Sequence, residues 1–299
     1  MKHTQCLIIG AGPAGLSAAI YTARAGMDTI VAGCEPKIAG DYEIDNYFGF
    51  PETISGRELI ERGVRQAERF GARLVCERAL SVHMTEAGAF QAKTDKDEYE
   101  AQALVIAAGV TRVRPGIANL ADYEGKGVSY CVSCDGFFYR GRKVLVVGEG
   151  NYAANQALEL TNFTKDVTVY TQGKEPAMGN GFAAKLEAAG IVVTTDKIVR
   201  LAGEPAMAAA VLEDGREMPA DGLFVAMGQA SALDFAKTLG VASRGAFLEA
   251  DHEQKTNIPG VFAAGDCVGH FMQISVAVGE GAKAGRAAIA HIKERSGQA

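Results

Sequence analysis

This 299-residue chain lacks three things: a ligand set for a metal, an apolar run that spans a bilayer, and an excess of positive charge. Its one Cys-x-x-Cys pair, Cys131 with Cys134, is joined by no second such pair and by no closely spaced histidines. A structural zinc takes four ligands, so a zinc site is not expected and no metal is assigned. No stretch of about 18 apolar residues occurs, which excludes a hydrophobic membrane-spanning helix. The short apolar run Cys6 to Ile9 is broken by Gly10, Gly12, Pro13 and Gly15, with no small-residue cleavage site behind it. A secretory leader is therefore not expected, and a cytoplasmic location is. The net charge is −6, which argues against nucleic acid as the main partner. In a reducing cytosol six cysteines need not pair; Cys6, Cys34, Cys76 and Cys267 are scattered and read as small apolar residues.

What is present centres on Ser129-Tyr130-Cys131-Val132-Ser133-Cys134-Asp135-Gly136. Two thiols three residues apart meet across one helical turn, so one can attack a disulfide while the other resolves it. Asp135 follows at once and is placed to relay the proton that accompanies the electrons.

The chain opens with a βαβ pattern. Cys6-Leu7-Ile8-Ile9 reads as a buried strand, Leu16 to Ala25 as an alanine-rich helix stopped at Gly26, and Thr29-Ile30-Val31-Ala32 as a second strand. Between them Gly10-Ala11-Gly12-Pro13-Ala14-Gly15 matches G-x-G-x-x-G. In that turn the first glycine permits the sharp bend, the second lets backbone approach a pyrophosphate, and the third lets helix pack close on strand. The free N–H groups at the helix start face the anion. The acid that such a site needs for a ribose is supplied by Glu35, twenty residues past Gly15.

Beyond lie a polar and aromatic loop from Asp41 to Pro51 and a helix opened by a Ser55/Glu58 capping box. Residues 73–108 alternate like antiparallel strands, and Leu104 to Gly109 is a buried strand ending in small residues, which suits a close approach to a ligand. A second glycine turn, Gly148-Glu149-Gly150, follows the strand Lys143 to Val147 and precedes a helix and the strand Val167 to Tyr170. Two nucleotide-type folds thus lie one inside the sequence span of the other. The strand Val261 to Asp266 and a helix from Gln273 to Ile292 close the chain.

These residues resemble the low-molecular-weight thioredoxin reductases over nearly the whole chain. The match runs through GAGPAG at 10–15, GKGVSYCVSCDGFFYRGRKVLVVGEG at 125–150 and FAAGD at 262–266. The resemblance implies an α/β fold of two Rossmann-like three-layer domains. The FAD domain is discontinuous, 1–113 with 245–299, and a pyridine-nucleotide-type domain, 114–244, is inserted and carries the dithiol. It implies FAD contacts at Gly10, Gly12, Pro13, Ala14, Gly15, Glu35, Asn46, Gly109, Gly265, Asp266, Gln273 and Ile274. By the same resemblance Cys134 faces the flavin, Cys131 attacks the disulfide of a thioredoxin, Asp135 is the acid–base, and the protein is a homodimer. A dithiol that serves both a flavin and a protein implies rotation about linkers near Val113–Gly116 and Ser243–Ala246.

The chain departs from the family pattern at the donor site. The segment that holds the 2′-phosphate of NADPH reads Tyr170-Thr171-Gln172-Gly173-Lys174-Glu175-Pro176, without arginine. A dianionic phosphate there loses its bidentate partner. Residues 170–172 supply no acid for the ribose of NADH either, Glu149 stands where a pyrophosphate would lie, and Tyr152 puts a ring on the first helical turn. The Gly-Gly-Gln-Leu of the family is not legible near Asp41, and Met272 replaces an arginine before Gln273. NADPH is therefore not expected as the donor; ferredoxin or a reduced flavin or deazaflavin is. Arg112, Arg114, Arg140, Arg142 and Lys143 would supply a basic face for an acidic ferredoxin. Two alternatives stay open: a dithiol oxidase forming a disulfide in a small molecule, with His270 as base, and an NAD(P)H-dependent thioredoxin reductase with an atypical cofactor site.

Overall fold

A computed structural model of the chain describes residues 1–40, 42–110, 114–130, 132–228 and 230–297. The first strand, Lys2–Ile9, begins ahead of its apolar stretch and is flanked on both sides, by Thr29–Ala32 and by Glu98–Ile106, both parallel to it. Its last residues are apolar without alternation because both faces of the sheet are covered. On one face the helix Pro13–Arg24 and the tail helix Ile274–Arg295 pack together, and their alanines fill an inner layer with Ile8, Val31, Val105 and Phe262.

Helix packing here depends on missing side chains. A Cβ on Gly281 of the tail helix would lie 2.1 Å from the Ala14 carbonyl oxygen, and one on Gly285 would lie 2.8 Å from that of Ala18. A Cβ on Gly15 would lie 1.9 Å from the Gly10 carbonyl oxygen, so the third motif glycine does set helix against strand.

Arg73–Val75 pairs parallel to Thr29–Ala32 rather than opening an antiparallel meander. It returns from the helix Gly56–Arg69, and a helical crossover of that kind feeds a parallel strand. The antiparallel expectation holds from Ala79–Met84 through Phe90–Thr94 to Glu98–Ile106. At the start of the Gly56–Arg69 helix, Ser55 Oγ accepts the Glu58 N–H at 3.1 Å. The Glu58 carboxylate instead accepts from Arg62 one turn on, at 2.6 Å, so half of the expected capping box forms.

By internal contacts the chain divides into two units, Met1–Val110 with Ser231–Ala299, and Thr111–Ala230. The return to the first unit falls at Ser231, ahead of the expected position near residue 245. The reason is an element the sequence reading missed, a helix at Ala232–Leu239 started by a complete Ser231/Asp234 capping box. Its buried face, Leu233, Phe235, Ala236 and Leu239, packs over the strand Ala79–Met84 of the first unit.

The second unit holds five parallel strands in the order Val192–Thr194, Val167–Tyr170, Val144–Val147, Gly222–Val225 and Val128–Ser129. A three-stranded antiparallel sheet, Ile198–Ala202, Ala209–Leu212 and Glu217–Pro219, was not legible in the sequence. Among the described residues no helix is long and apolar enough to cross a membrane.

Two glycines of the tail helix should respond in opposite directions. A Cβ on Gly279 meets nothing within 4 Å, so Gly279→Ala is expected to stabilise by about 0.5–1 kcal/mol through the unfolded chain. Gly281→Ala is expected to cost about 1–3 kcal/mol by overpacking against Ala14. Urea unfolding midpoints read both; shifts of the same sign would contradict the close helix crossing.

Candidate functional site

Strand register gathers the first set of candidate residues. Ile9 stands opposite Ala32 and Ile106, Ala32 opposite Val75, and Ala263 opposite Ile106. Five parallel strands therefore finish in one row, and Gly10, Gly33, Cys76, Ala107 and Ala264 stand just beyond it. Ligands bind outside this edge of a parallel sheet. Gly10 takes φ +112°, a backbone conformation closed to most side chains, and Gly12 caps the helix Pro13–Arg24 with no side-chain hydrogen bond. Pro13 occupies the first helical turn and Ala14 is buried beside it.

The cradle is open. A Cβ on Gly12 would meet nothing nearer than Pro36 at 4.0 Å, and one on Gly109 would meet nothing within 4 Å. The uncapped helix start and this free space fit the pyrophosphate of a dinucleotide. Gly265 and exposed Asp266 follow the strand Val261–Ala263, and Gly265 lies against Ala14. Gln273 caps the tail helix, Ile274 begins it, and Asn46 Nδ2 donates to Gln273 Oε1 at 3.2 Å. Glu35 is exposed at the same edge and pairs with Arg57 at 2.6 Å. Sequence reasoning missed Glu280, a buried carboxylate that accepts the Gly265 N–H at 2.8 Å and pairs with His270 Nδ1 at 2.6 Å. His270, on the loop before the tail helix, is thus tied to that helix. A buried glutamate inside an Ala/Gly-rich helix was the signal available.

The dithiol stretch lies in the second unit. Val132–Asp135 forms a single helical turn, and its backbone is tied to the helix Asn151–Leu160 by Val132 N–H donating to Gln156 Oε1 at 3.3 Å. Cys134 is exposed and disulfide-bonded; Cys131 lies outside the described residues. Ser129 Oγ donates to Asp135 Oδ2 at 2.5 Å, which fixes the carboxylate one residue past Cys134. Phe137 and Phe138 follow, both exposed and edge to face, with Arg140 over the Phe137 ring. Of the five candidate cations, Arg142 pairs with Asp221, and Arg112 lies outside the described residues.

At the second glycine turn the neighbouring side chains are engaged with the chain itself. Glu149 does not stand alone there; it pairs with Lys174 at 2.5 Å. Burial by itself would raise the Glu149 carboxyl. The hydrogen bond from Lys174, the backbone N–H groups of Glu149 and Gly228, and the Lys174 charge outweigh it and hold the group below its ordinary value. Ala177 N–H donates to the Glu149 carbonyl at 2.7 Å, and Gly179 N–H to Asn151 Oδ1 at 2.8 Å. The segment after Tyr170 thereby lies over the turn and the helix start. Gln172, in left-handed backbone, spends its amide inward: Nε2 donates to the Pro115 and Ile198 carbonyls at 2.7 and 2.9 Å, and Oε1 accepts the Ile198 N–H at 2.7 Å. Thr171 Oγ1 donates to the Lys174 carbonyl, and the Tyr152 ring is buried.

Two cysteine expectations divide. Cys6 and Cys267 are buried thiols, each pushed up to about 12, chiefly by burial. Cys34 and Cys76 are not isolated apolar residues; they form a disulfide with Cα atoms 4.2 Å apart. Forty-two residues separate them in sequence, and only the strand pairing of Thr29–Ala32 with Arg73–Val75 brings them together. Among the described residues no cluster of three or more potential metal ligands occurs.

Comparison with known proteins returns a consistent picture. The family described as pyridine nucleotide-disulphide oxidoreductase matches residues 4–281. The thioredoxin reductase of Listeria innocua is 32% identical over 319 residues, covering 98% of this chain and 95% of its own. The solved atypical thioredoxin reductase TRi from Desulfovibrio vulgaris Hildenborough is 63% identical, with a TM-score of 0.96 over 97% of this chain and 98% of that one. A ferredoxin-flavin thioredoxin reductase from Clostridium acetobutylicum is 28% identical, with a TM-score of 0.72 over 99% of each chain.

The Glu149–Lys174 pair has a pH signature. Because the folded-state carboxyl lies below its unfolded value of 4.5, its contribution is complete above that value and is lost as pH falls through the folded one. The stability difference between wild type and Glu149→Gln is expected to hold constant above about pH 5 and to shrink below it. Denaturant titrations from neutral to acid pH measure it. A difference that ignores pH would mean that the pair is not formed.

Proposed function

The chain belongs to the pyridine nucleotide-disulphide oxidoreductase family and is a disulfide oxidoreductase, and on that premise we propose that it is an FAD enzyme reducing a thioredoxin disulfide with electrons from a donor other than NADPH. The observation that carries the donor assignment is how the side chains of segment 171–177 are engaged. The side chains that would read an adenosine ribose or its 2′-phosphate are spent on the protein itself: Gln172 on Pro115 and Ile198, Lys174 on Glu149. Opening the site would leave a largely buried Glu149 carboxylate without its cation, which is costly. The likeness to an atypical thioredoxin reductase and to a ferredoxin-flavin thioredoxin reductase supports a ferredoxin or reduced-flavin donor.

FAD would be held by the Gly10–Gly15 turn, Glu35, Asn46, Gly109, Gly265, Asp266, Gln273 and Ile274. When bound, it supplies the two-electron relay between donor and dithiol. Cys131 attacks the partner disulfide as a thiolate, and the mixed disulfide is resolved by Cys134, which leaves a Cys131–Cys134 disulfide and a reduced partner. Asp135, oriented by Ser129, holds the proton that the released thiolate takes up. Exposed Phe137 and Phe138 with Arg140 offer the aromatic and arginine contacts that protein interfaces favour, which suits a thioredoxin rather than a small disulfide. The reading extends to a homodimer working in the cytoplasm.

Thiol trapping tests the assignment. Cys134→Ser, which keeps Cys131, is expected to displace thionitrobenzoate from a thioredoxin that lacks its resolving cysteine and carries its remaining one as a mixed disulfide with thionitrobenzoate, and so to form a stable mixed disulfide with that thioredoxin. Cys131→Ser is expected to do so at least about tenfold more slowly. Gel shifts under non-reducing conditions report both. Equal coupling would reject the roles, and no coupling by either variant would reject thioredoxin as the substrate.

A further inference from the structure

The mechanism above leaves one pair of sulfurs unused. Cys34 and Cys76 form a disulfide in the first unit, and they do so at the edge where its strands end. Cys34 is half-buried, and Cys76 is an exposed residue at the surface of its unit. This separates them from Cys6 and Cys267, which are fully buried with thiols pushed up to about 12. Disulfides in reducing compartments are seldom structural and more often transient or redox-sensing.

The two ends of the disulfide differ in how they are held. The Cys76 side is anchored. Its carbonyl accepts from Lys96 Nζ at 2.7 Å, and Arg78 N–H donates to Asp95 Oδ1 at 2.9 Å. Between them Glu77 is buried, accepting Thr94 Oγ1 at 2.7 Å and Tyr99 OH at 2.9 Å. The Cys34 side is the wall of the first glycine cradle. A Cβ on Gly33 would lie 2.6 Å from the Ala11 nitrogen, and Pro36 is what a Cβ on Gly12 would meet first. Glu35 stands between them, held otherwise by an exposed ion pair with Arg57. Exposed pairs of that kind contribute little. Gly33 N–H donates to the Val75 carbonyl at 3.0 Å, and Ala39 packs against Leu16 and Ile60; between these two anchors the disulfide is the covalent tie of residues 34–36 to the sheet.

We propose that Cys34–Cys76 is a second thiol-exchange site, opened by a dithiol reductant, and that its state sets how firmly the adenosine end of FAD is held. This rests on the FAD reading of the Gly10–Gly15 turn. The exchange balances without another reactant. One thiolate of the dithiol attacks Cys76 Sγ, the S–S bond breaks, and Cys34 leaves as a thiolate that takes a proton from water. The second thiol of the reductant, as its thiolate, then displaces Cys76, the reductant ends as a disulfide, and two electrons and two protons rest on Cys34 and Cys76. A reduced cytosolic dithiol, including the product of the enzyme's own reaction, has the required chemistry. Loss of the tie loosens residues 34–36, while Ala39 stays packed against Leu16 and Ile60, and Glu35 is then held by its exposed pair with Arg57.

The test uses full-length FAD-loaded protein carrying Cys131→Ser and Cys134→Ser, so that only the second pair can react. Alkylation followed by peptide mass spectrometry counts thiols before and after dithiothreitol, and flavin fluorescence follows FAD release into dilute buffer. Neither Cys34 nor Cys76 should label before reduction, and both should label after it, while Cys6 and Cys267 stay unlabelled. FAD release should be at least about tenfold faster after reduction, and Cys34→Ser in the same background should release FAD at the fast rate without reductant. Labelling of Cys34 and Cys76 in air-equilibrated protein before reduction would overturn the proposal. So would an unchanged release rate once the pair has opened. A protein that binds no FAD in either state would overturn the FAD reading as well, whereas one that keeps FAD equally in both overturns this proposal alone.

Discussion

Five parallel strands that stop at one level are the constraint on which the first unit depends. The register that sets Ile9 against Ala32 and Ile106 also sets Ala32 against Val75 and Ala263 against Ile106. Each strand end releases its chain at the same edge, so residues far apart in sequence arrive together without a long loop to carry them. The edge tolerates no extra bulk beneath the helices. Ala14 and Ala18 touch Gly281 and Gly285 so closely that a single methyl group would not fit. That closeness holds the uncapped start of the helix Pro13–Arg24 over the sheet edge, where its N–H groups face the open cradle.

The second unit repeats the plan with a different result. It too has a strand, a glycine turn and a helix, Val144–Val147, Gly148–Gly150 and Asn151–Leu160. A Cβ on Gly12 would meet only Pro36 at 4.0 Å and one on Gly150 only the Gly228 carbonyl oxygen at 3.7 Å, so the two turns differ less in free space than in the side chains beside them. Gln172 bonds its amide to Pro115 and Ile198, and Lys174 neutralises Glu149. In the first unit the paired side chains, Glu35 with Arg57 and Asn46 with Gln273, are exposed, whereas the Gln172 amide of the second is buried in its bonds. Polar groups already satisfied inside the protein have little to gain from a nucleotide.

Much of this was legible from residues alone. The strand, glycine turn and helix of the first unit were readable because motif spacing and hydrophobic pattern agree there. The missing arginine after Tyr170 pointed to an altered donor site. What replaced it was not readable. The Gln172 bonds depend on the sheet that begins at Ile198, whose short strands carry no clear alternation. The partner of Glu149 lies twenty-five residues on. The Ala232–Leu239 helix was missed although Ser231 and Asp234 signal its start, because eight residues give a short period to detect. Cys34 and Cys76 were read as isolated because two cysteines forty-two residues apart say nothing until the strands before them are known to pair. By internal contacts the second unit ends before Ser231, because the Ala232–Leu239 helix buries a face against a distant strand, a tertiary fact that a sequence does not display.

The central claim is the proposal that the second glycine turn, where Gln172 and Lys174 are engaged with the protein, takes no pyridine nucleotide. An anaerobic titration of the oxidised, FAD-loaded protein, followed through the visible flavin bands, measures this most directly. NADPH and NADH are predicted to leave the bands unchanged, while reduced ferredoxin or a reduced flavin bleaches them. Bleaching by micromolar NADPH would contradict the account.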